Sequence, residues 1–191
     1  MFRDDFVWGV ASSAYQVEGT DPEDGRGKCV WDVFTEEGHI HENQNAYTAC
    51  DHMHRYKEDY ALMRQLGIKA YRFSMNWARI LPEGTGRVNE KAIAMYRDMI
   101  VTMKENGITP YITMFHWELP QALQVKGGWL NPQIVDWFGE YAKVIAENFA
   151  DLCDYFITSR SVLSDLDTSV PCMRRVSGIP LQTHSGLRII C

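Results

Sequence analysis

The sequence lacks the features that mark several classes of protein. It has no run of about 18 apolar residues, so it predicts no membrane-spanning helix. Lys and Arg total 19 against 25 Asp and Glu, and the resulting net charge of -6 argues against a nucleic-acid-binding surface. The opening residues, Met1 to Asp5, include acids where a secretory signal needs an apolar run. We therefore expect neither a membrane nor a nucleic acid as partner.

Paired cysteines are also lacking. The five cysteines are odd in number and include no Cys-x-x-Cys pair, which favours a reduced, cytoplasmic protein. They are Cys29, Cys50, Cys153, Cys172 and Cys191. His52 and His54 form a His-x-His pair, but no third ligand follows at an indicative spacing. We interpret this pair as the start of a surface helix and predict no metal site.

The composition is that of a globular domain. Hydrophobic residues make up 46% of the 191 residues and aromatic residues 12%, which is too apolar for a disordered chain. This length is sufficient for one sizeable domain with its own core.

One unit of sequence occurs twice. Gly67, Ile68, Tyr71 and Trp77 recur 40 residues later as Gly107, Ile108, Tyr111 and Trp117. Each copy follows a segment with helical spacing and enters a short run typical of a strand. A repeated helix and strand predicts parallel strands joined by helical crossovers.

The pattern predicts four strands that alternate with helices. We place the strands at 6–11, 69–74, 109–114 and from 155 to 158, the helices at 55–66, 90–106 and from Asn131-Pro132 to about Phe149, and a long loop at 20–50. The predicted helix at 90–106 carries an apolar stripe at Ala92, Ile93, Tyr96, Met99, Ile100 and Met103. The last predicted helix carries one at Ile134, Val135, Phe138, Tyr141, Ala142, Ile145 and Phe149. The fold class is therefore α/β, either a (β/α)8 barrel or a doubly wound sheet.

Two observations bear on this choice. No Gly-x-Gly-x-x-Gly follows the first strand, which weakens a dinucleotide-binding interpretation and leaves no cofactor predicted. A barrel usually needs about 250 residues, so about four βα units give roughly half of one. We expect an incomplete (β/α)8 TIM barrel with an irregular or disordered C-terminal tail.

Several long stretches resemble glycoside hydrolase family 1, the retaining enzymes of the β-glucosidase type. The matching stretches are Phe6–Gly19, Val30–Phe34, Tyr71–Ile80, Phe115–Pro120 and Gly127–Leu130. The resemblance covers residues 1 to about 158 and implies a TIM barrel with its site at the carboxyl ends of the strands. Asn76 and Ala78 depart from the Ser and Pro that are more frequent in the family, at positions without a chemical role.

The resemblance implies specific roles for four residues. Gln16 and His116 would hydrogen-bond the hydroxyls of the non-reducing sugar, with Trp117 in the wall of the pocket. Arg72 would lie near the nucleophilic carboxylate and hold it ionised. Tyr15 resembles the branch that acts on plain glycosides, whereas the 6-phosphoglycosidase branch more often has Asn there.

Each of these residues also has a structural alternative. A single His after a strand is usually structural, and an Arg on a strand is often an ordinary ion-pair partner. Trp8, Trp31 and Trp129 are interpreted as packing residues of the core or loops, not as sugar platforms.

The two carboxylates of a retaining glycosidase are missing from the sequence. The resemblance implies an acid/base in a Thr-x-Asn-Glu-Pro motif after strand four and a nucleophile in an Ile/Val-Thr-Glu-Asn-Gly motif, and neither occurs. Residues 159–191 contain no aromatic residue, no Lys and no Glu, whereas all 23 aromatic residues lie before residue 159. Synonymous codons can be chosen for Ile157 and the residues after it so that translation from the third base of each codon gives a different peptide. That peptide contains Asn-Glu-Pro and further short strings that resemble the family. We therefore expect 1–158 to be the N-terminal half of a barrel and 159–191 a frameshifted, non-homologous tail.

The sequence thus predicts a β-glucosidase-type glycoside hydrolase whose chain, as given, is a truncated and inactive fragment. Its parent would act on a β-glycoside or oligosaccharide without metal or cofactor. A 6-phospho-β-glucosidase is one alternative. A non-catalytic sugar-binding protein, or a half-barrel that self-associates through exposed edges, is an alternative of another class.

Overall fold

The protein forms one sheet of parallel strands with helices packed on it. The computed structural model describes residues 2–3, 6–21 and 23–159, and the backbone of 188–190. Its strands are β1 (Gly9–Ala11), β2 (Ala70–Ser74), β3 (Thr109–Phe115), β4 (Tyr155–Ser159) and β5 (Arg188–Ile190). Its α-helices are α1 (Ala14–Val17), α2 (Val30–Glu36), α3 (His52–Gln65), α4 (Trp77–Ile80), α5 (Glu90–Glu105), α6 (Gln121–Gln124) and α7 (Ile134–Phe149), with short 3-10 helices at His41–Asn43 and Gly128–Leu130.

The strands follow one another in chain order across the sheet, and all of them are parallel. Ala11 lies opposite Arg72, which in turn lies opposite Tyr111. Because neighbouring strands come in sequence order and point the same way, their carboxyl ends meet at one edge of the sheet. This is the arrangement of the N-terminal part of a TIM barrel, as the sequence predicts.

The repeated unit is confirmed as a helix, a glycine turn and a strand. Gly67 follows α3 and Gly107 follows α5, with φ of 75° and 73°. This left-handed conformation is strained for residues with a Cβ atom, and it terminates both helices at the same point of the repeat.

The predicted apolar stripes form the core. Every residue of the α5 stripe is buried, as is every residue of the α7 stripe except Val135, which is partly buried against the same cluster. The two helices therefore cover the sheet with the faces that the sequence indicates.

The first strand differs from its prediction. We expected a buried strand at 6–11, but Phe6, Val7 and Trp8 are 47%, 57% and 56% exposed and the strand is confined to Gly9–Ala11. The reason is its place in the sheet: β1 bonds to β2 on one side and is the terminal strand of the sheet that the structure describes. The prediction of a strand is confirmed for Gly9–Ala11 only, and the prediction that the run is buried is wrong.

Other boundaries are shifted. The predicted loop at 20–50 contains α2, and α3 begins at His52 instead of Arg55. The last helix begins at Ile134 because Asn131 Oδ1 accepts from the Gln133 backbone N–H, closing a turn before the helix starts.

Part of the predicted tail lies outside the described residues. This applies to 160–187 and to Cys191. The backbone of Arg188–Ile190 pairs with β4 as a fifth strand, which the sequence did not predict. Within the described part of the chain, no helix is long and apolar enough to cross a membrane.

Candidate functional site

A cavity of about 500 Å³ lies beyond the carboxyl ends of the strands. It is lined by Ser13, Tyr15, Gln16, Trp31, Thr35, Ile40, Gln44, Asn45, Ala46, His116, Trp117 and Glu118. Three of the four residues expected to form the site therefore meet in one place: Gln16, His116 and Trp117. They come from α1 and from the segment after β3, about 100 residues apart in sequence.

Helix α1 is anchored by side chains at the ends of two strands. The Ala14 backbone N–H donates to Ser74 Oγ at 2.8 Å, and the Tyr15 N–H donates to Glu118 Oε1 at 3.0 Å. Free N–H groups at the start of a helix need such acceptors. Ser13 Oγ then donates to Gln16 Oε1 at 3.0 Å, so the Gln16 amide is oriented from its own turn.

Trp117 has an unusual backbone conformation. Its φ is 77°, a left-handed value that is rare for a bulky residue, and its side chain is 44% exposed. The rings of His116 and Trp117 lie 5.5 Å apart. Strain of this kind persists where the surrounding structure imposes it, and it is concentrated at functional sites.

Trp31 extends the aromatic wall of the cavity. Its ring lies 6.3 Å from Tyr15 and 6.2 Å from Trp117, tilted by 36° and 34°. The interpretation of Trp31 as a packing residue alone is thus incomplete, because Trp31 lines the cavity. The sequence missed this because α2, which carries it, lies in the stretch that we predicted as loop.

The other two tryptophans differ from each other. Trp129 is partly buried and packs against the core at Phe115, with 4.9 Å between ring centroids, which agrees with its interpretation as a packing residue. Trp8, by contrast, is exposed.

Arg72 does not join the other three expected residues. It lies within β2, half-buried, and is not among the residues that line the cavity. Its carbonyl oxygen accepts from the Ser12 backbone N–H at 3.0 Å, which ties the segment before α1 to the sheet.

Glu118 is a site residue that the sequence reasoning missed. It lines the cavity and is 1% exposed. The pKa of its carboxyl is raised from 4.5 to about 8, chiefly by burial and to a smaller extent by the nearby Glu18 carboxylate, while the backbone N–H groups of Tyr15, Glu118 and His116 oppose the shift. The available signal was its position inside the Phe115–Pro120 stretch, which resembles the family and also contains His116 and Trp117.

A buried ionic cluster fixes the other end of α1. Arg79 donates from Nε to Glu18 Oε2 at 3.1 Å and from Nη2 to the Gly19 carbonyl at 2.8 Å. It also pairs with Asp24, while Tyr96 donates to Glu18 Oε1 at 2.6 Å. Burial and the Glu18 charge raise the pKa of Tyr96 well above 10, so the hydroxyl remains a donor.

The expected helix start at the His-x-His pair is present. Asp51 precedes α3, and His52 is buried with Nδ1 2.5 Å from Asp59 Oδ2. His54 is exposed beside Asp51, which raises its pKa. Among the residues that the structure describes, no group of three or more His, Cys, Asp or Glu could hold a metal ion.

Comparison with known proteins gives one consistent result. The model of the family described as Glycosyl hydrolase family 1 matches residues 1–167. Beta-glucosidase A of Thermotoga maritima is 50% identical over 158 residues, which is 82% of this chain and 35% of that protein. Beta-glucosidase 4 of Oryza sativa subsp. japonica is 51% identical over 160 residues, covering 82% of this chain and 33% of that protein.

Solved structures agree. The Thermotoga maritima beta-glucosidase in complex with deoxynojirimycin has a TM-score of 0.80 at 50% identity, over 82% of this chain and 36% of that one. The chain therefore spans about a third of the length of the curated relatives it matches.

Proposed function

Because this chain belongs to glycosyl hydrolase family 1, we propose that its cavity binds the non-reducing sugar of a β-glycoside. The observation that carries the proposal is the meeting of Gln16, His116 and Trp117 at one cavity beyond the strand ends. A sugar ring presents neighbouring hydroxyls at its edge and C–H groups on its faces. It is therefore recognised by amide and imidazole groups together with an aromatic surface.

The proposed roles divide accordingly. Gln16 offers both a donor and an acceptor to a pair of hydroxyls, and His116 adds a ring nitrogen. Trp117 and Trp31 supply the aromatic wall. Arg72, within β2, is proposed to act on the nucleophilic carboxylate of a complete site by favouring its ionised form.

The cavity favours a plain glycoside over a phosphorylated one. Neither Lys nor Arg occurs among the described residues that line it. A phosphate would need such cations or a cluster of backbone N–H groups. Tyr15 at the cavity supports the same choice, so a 6-phosphoglycoside is the second candidate substrate.

Full-length members of the family hydrolyse β-glycosides with retention of the anomeric configuration. This reaction needs two carboxylates about 5–5.5 Å apart. The sequence of this chain contains neither of the motifs that supply them. We therefore propose that this polypeptide alone binds glycosides without hydrolysing them.

The experiment combines binding and turnover. Calorimetric titration with deoxynojirimycin should give saturable binding that Gln16→Ala weakens, whereas Gln65→Ala, at the end of α3 remote from the cavity, leaves it unchanged. The same preparation should release no more nitrophenol from p-nitrophenyl β-glucoside than buffer does. Absence of binding would refute the sugar site, and enzyme-dependent release would refute the inactivity.

We further propose that 1–158 is the family domain and that 159–191 is translated from a shifted frame. The composition of the tail supports this, as do the curated matches, which extend over 158 to 160 residues; the family model extends to residue 167. The nucleotide sequence across these codons tests it. An unbroken frame without an alternative Asn-Glu-Pro would contradict the proposal.

We also propose a cytoplasmic location. Its support is that Cys29, Cys50 and Cys153 are all free thiols in the described part of the chain. Thiol titration of unfolded protein purified without reductant should count five free thiols; any disulfide would contradict this location.

A further inference from the structure

Glu118 links the two segments that carry the expected site residues of the cavity. Its Oε1 accepts from the backbone N–H of Tyr15, so it contacts α1 directly beside Gln16. In the chain it directly follows Trp117, the residue with the left-handed backbone. One side chain thus connects the helix that carries Gln16 with the segment that carries His116 and Trp117.

We infer that Glu118 is a positioning residue that, as a neutral carboxylic acid, holds α1 in register with the His116–Trp117 segment. The inference deepens the proposed function, because the two walls it aligns are those assigned to sugar binding. Glu118 is only 1% exposed although it lines the cavity, so we assign it a role through its neighbours.

The surroundings of Glu118 favour the neutral form. The groups that face it are Tyr15 on α1, Glu18 at the end of α1, Tyr141 on α7 and His116 on its own segment. No ion pair of Glu118 occurs in the part of the chain that the structure describes. The backbone N–H groups of Tyr15, Glu118 and His116 donate to its carboxyl and lower the pKa, but burial outweighs them. A buried carboxylate without a cation is costly, and the pKa of about 8 expresses this cost.

The direction of the pH effect follows from that shift. The unfolded chain releases the Glu118 proton near pH 4.5, whereas the folded protein keeps it to about pH 8. The stability that this group contributes is therefore complete below pH 4.5 and is lost as the pH rises to about 8. Above that pH the folded protein carries an uncompensated charge between the two walls, beside the strained Trp117 backbone.

The test compares wild type with Glu118→Gln, which keeps the size and a carbonyl acceptor for the Tyr15 N–H but cannot ionise. Glu105→Gln is the matched control, because Glu105 is exposed at the end of α5, at the opposite end of the strands from the cavity. Tryptophan fluorescence of the protein without ligand is recorded from about pH 6.5 to about pH 9.5, with circular dichroism to verify folding.

We expect the tryptophan fluorescence of wild type and of Glu105→Gln to change in one step with a midpoint near pH 8. In Glu118→Gln this step should be absent. Methyl β-D-glucoside, which does not ionise in this range, should bind roughly tenfold more weakly one pH unit above the midpoint in wild type, and without this loss in Glu118→Gln. Glu118→Asp, which is one methylene too short to reach the Tyr15 N–H, should bind the sugar more weakly already at neutral pH.

A purely structural role would lower the melting temperature of the variants without removing a titration step. Absence of the step in wild type, or its persistence in Glu118→Gln, would overturn the inference. If Glu118→Gln does not fold, the wild-type titration and Glu118→Asp still decide it. If wild type shows the fluorescence step but binds no methyl β-D-glucoside below or above its midpoint, the positioning role is supported. The same result would refute the proposed sugar site.

Discussion

At the scale of the residue, the cluster around Arg79 fixes the end of α1, the helix that carries Gln16. Its guanidinium is 1% exposed and contacts Glu18, Gly19 and Asp24, all in the segment that follows Gln16. The local sequence predicts the strand before Arg79 but not the partners of Arg79, because they lie 55 to 61 residues away. Pairings of that kind depend on the tertiary structure.

We expect Arg79→Met to destabilise the protein by about 3–5 kcal/mol, because it leaves the buried Glu18 carboxylate without its cation. Arg97→Met is the control: Arg97 and Asp151 are 38% and 58% exposed, and such a pair contributes about 0–1 kcal/mol. Urea denaturation measures both. Equal losses in the two variants would show that the buried cluster has no special role.

At the scale of the element, the helices with long apolar stripes could be predicted almost completely. Both α5 and α7 combine an apolar stripe with a helix-start signal, Asn89 and Asn131-Pro132 respectively. Their buried faces match the apolar stripes. The short elements α1, α4 and α6 have four residues each, too few for periodicity to be read. Tertiary contacts fix them instead, and α1 carries Gln16.

One contact joins α7 to the ends of two strands. The Tyr141 hydroxyl donates to the carbonyls of Met75 and Met114, at 3.1 and 2.9 Å, in the buried core. Tyr141→Phe leaves both carbonyls without this donor, so we expect a loss of about 1–3 kcal/mol in the free energy of unfolding.

Tyr47→Phe is the control, since the Tyr47 hydroxyl contacts Glu36 at the surface. Its expected loss is under about 1 kcal/mol. Thermal unfolding of the two variants measures the difference, and a Tyr141→Phe protein as stable as wild type would contradict this role.

At the scale of the whole molecule, the repeat at an offset of 40 residues defines the fold and places the site. It predicts parallel strands, and parallel strands in chain order bring their carboxyl ends to one edge. It could not predict that β1 is terminal, because burial of a strand depends on neighbours that its own residues do not specify. The exposed rings of Phe2, Phe6 and Trp8, 4.5–4.8 Å apart, are the consequence.

We expect this aromatic patch to cause concentration-dependent self-association, since it is contiguous and adjoins an open strand edge. Trp8→Lys should lower the weight-average mass in sedimentation velocity at a fixed protein concentration. Leu66→Lys, an equal charge change at an exposed apolar residue after α3 and outside this patch, should not. The same association in all three proteins would exclude the patch as its cause.

The most direct test of the account is saturation-transfer NMR of methyl β-D-glucoside with wild type and His116→Ala at neutral pH. Saturation should pass from the aromatic wall to the ring protons of the sugar in wild type. In His116→Ala the affinity should fall about five- to tenfold, because one hydrogen bond contributes about 1 kcal/mol. No transfer in wild type, or the same affinity in both proteins, would contradict a sugar site at this cavity.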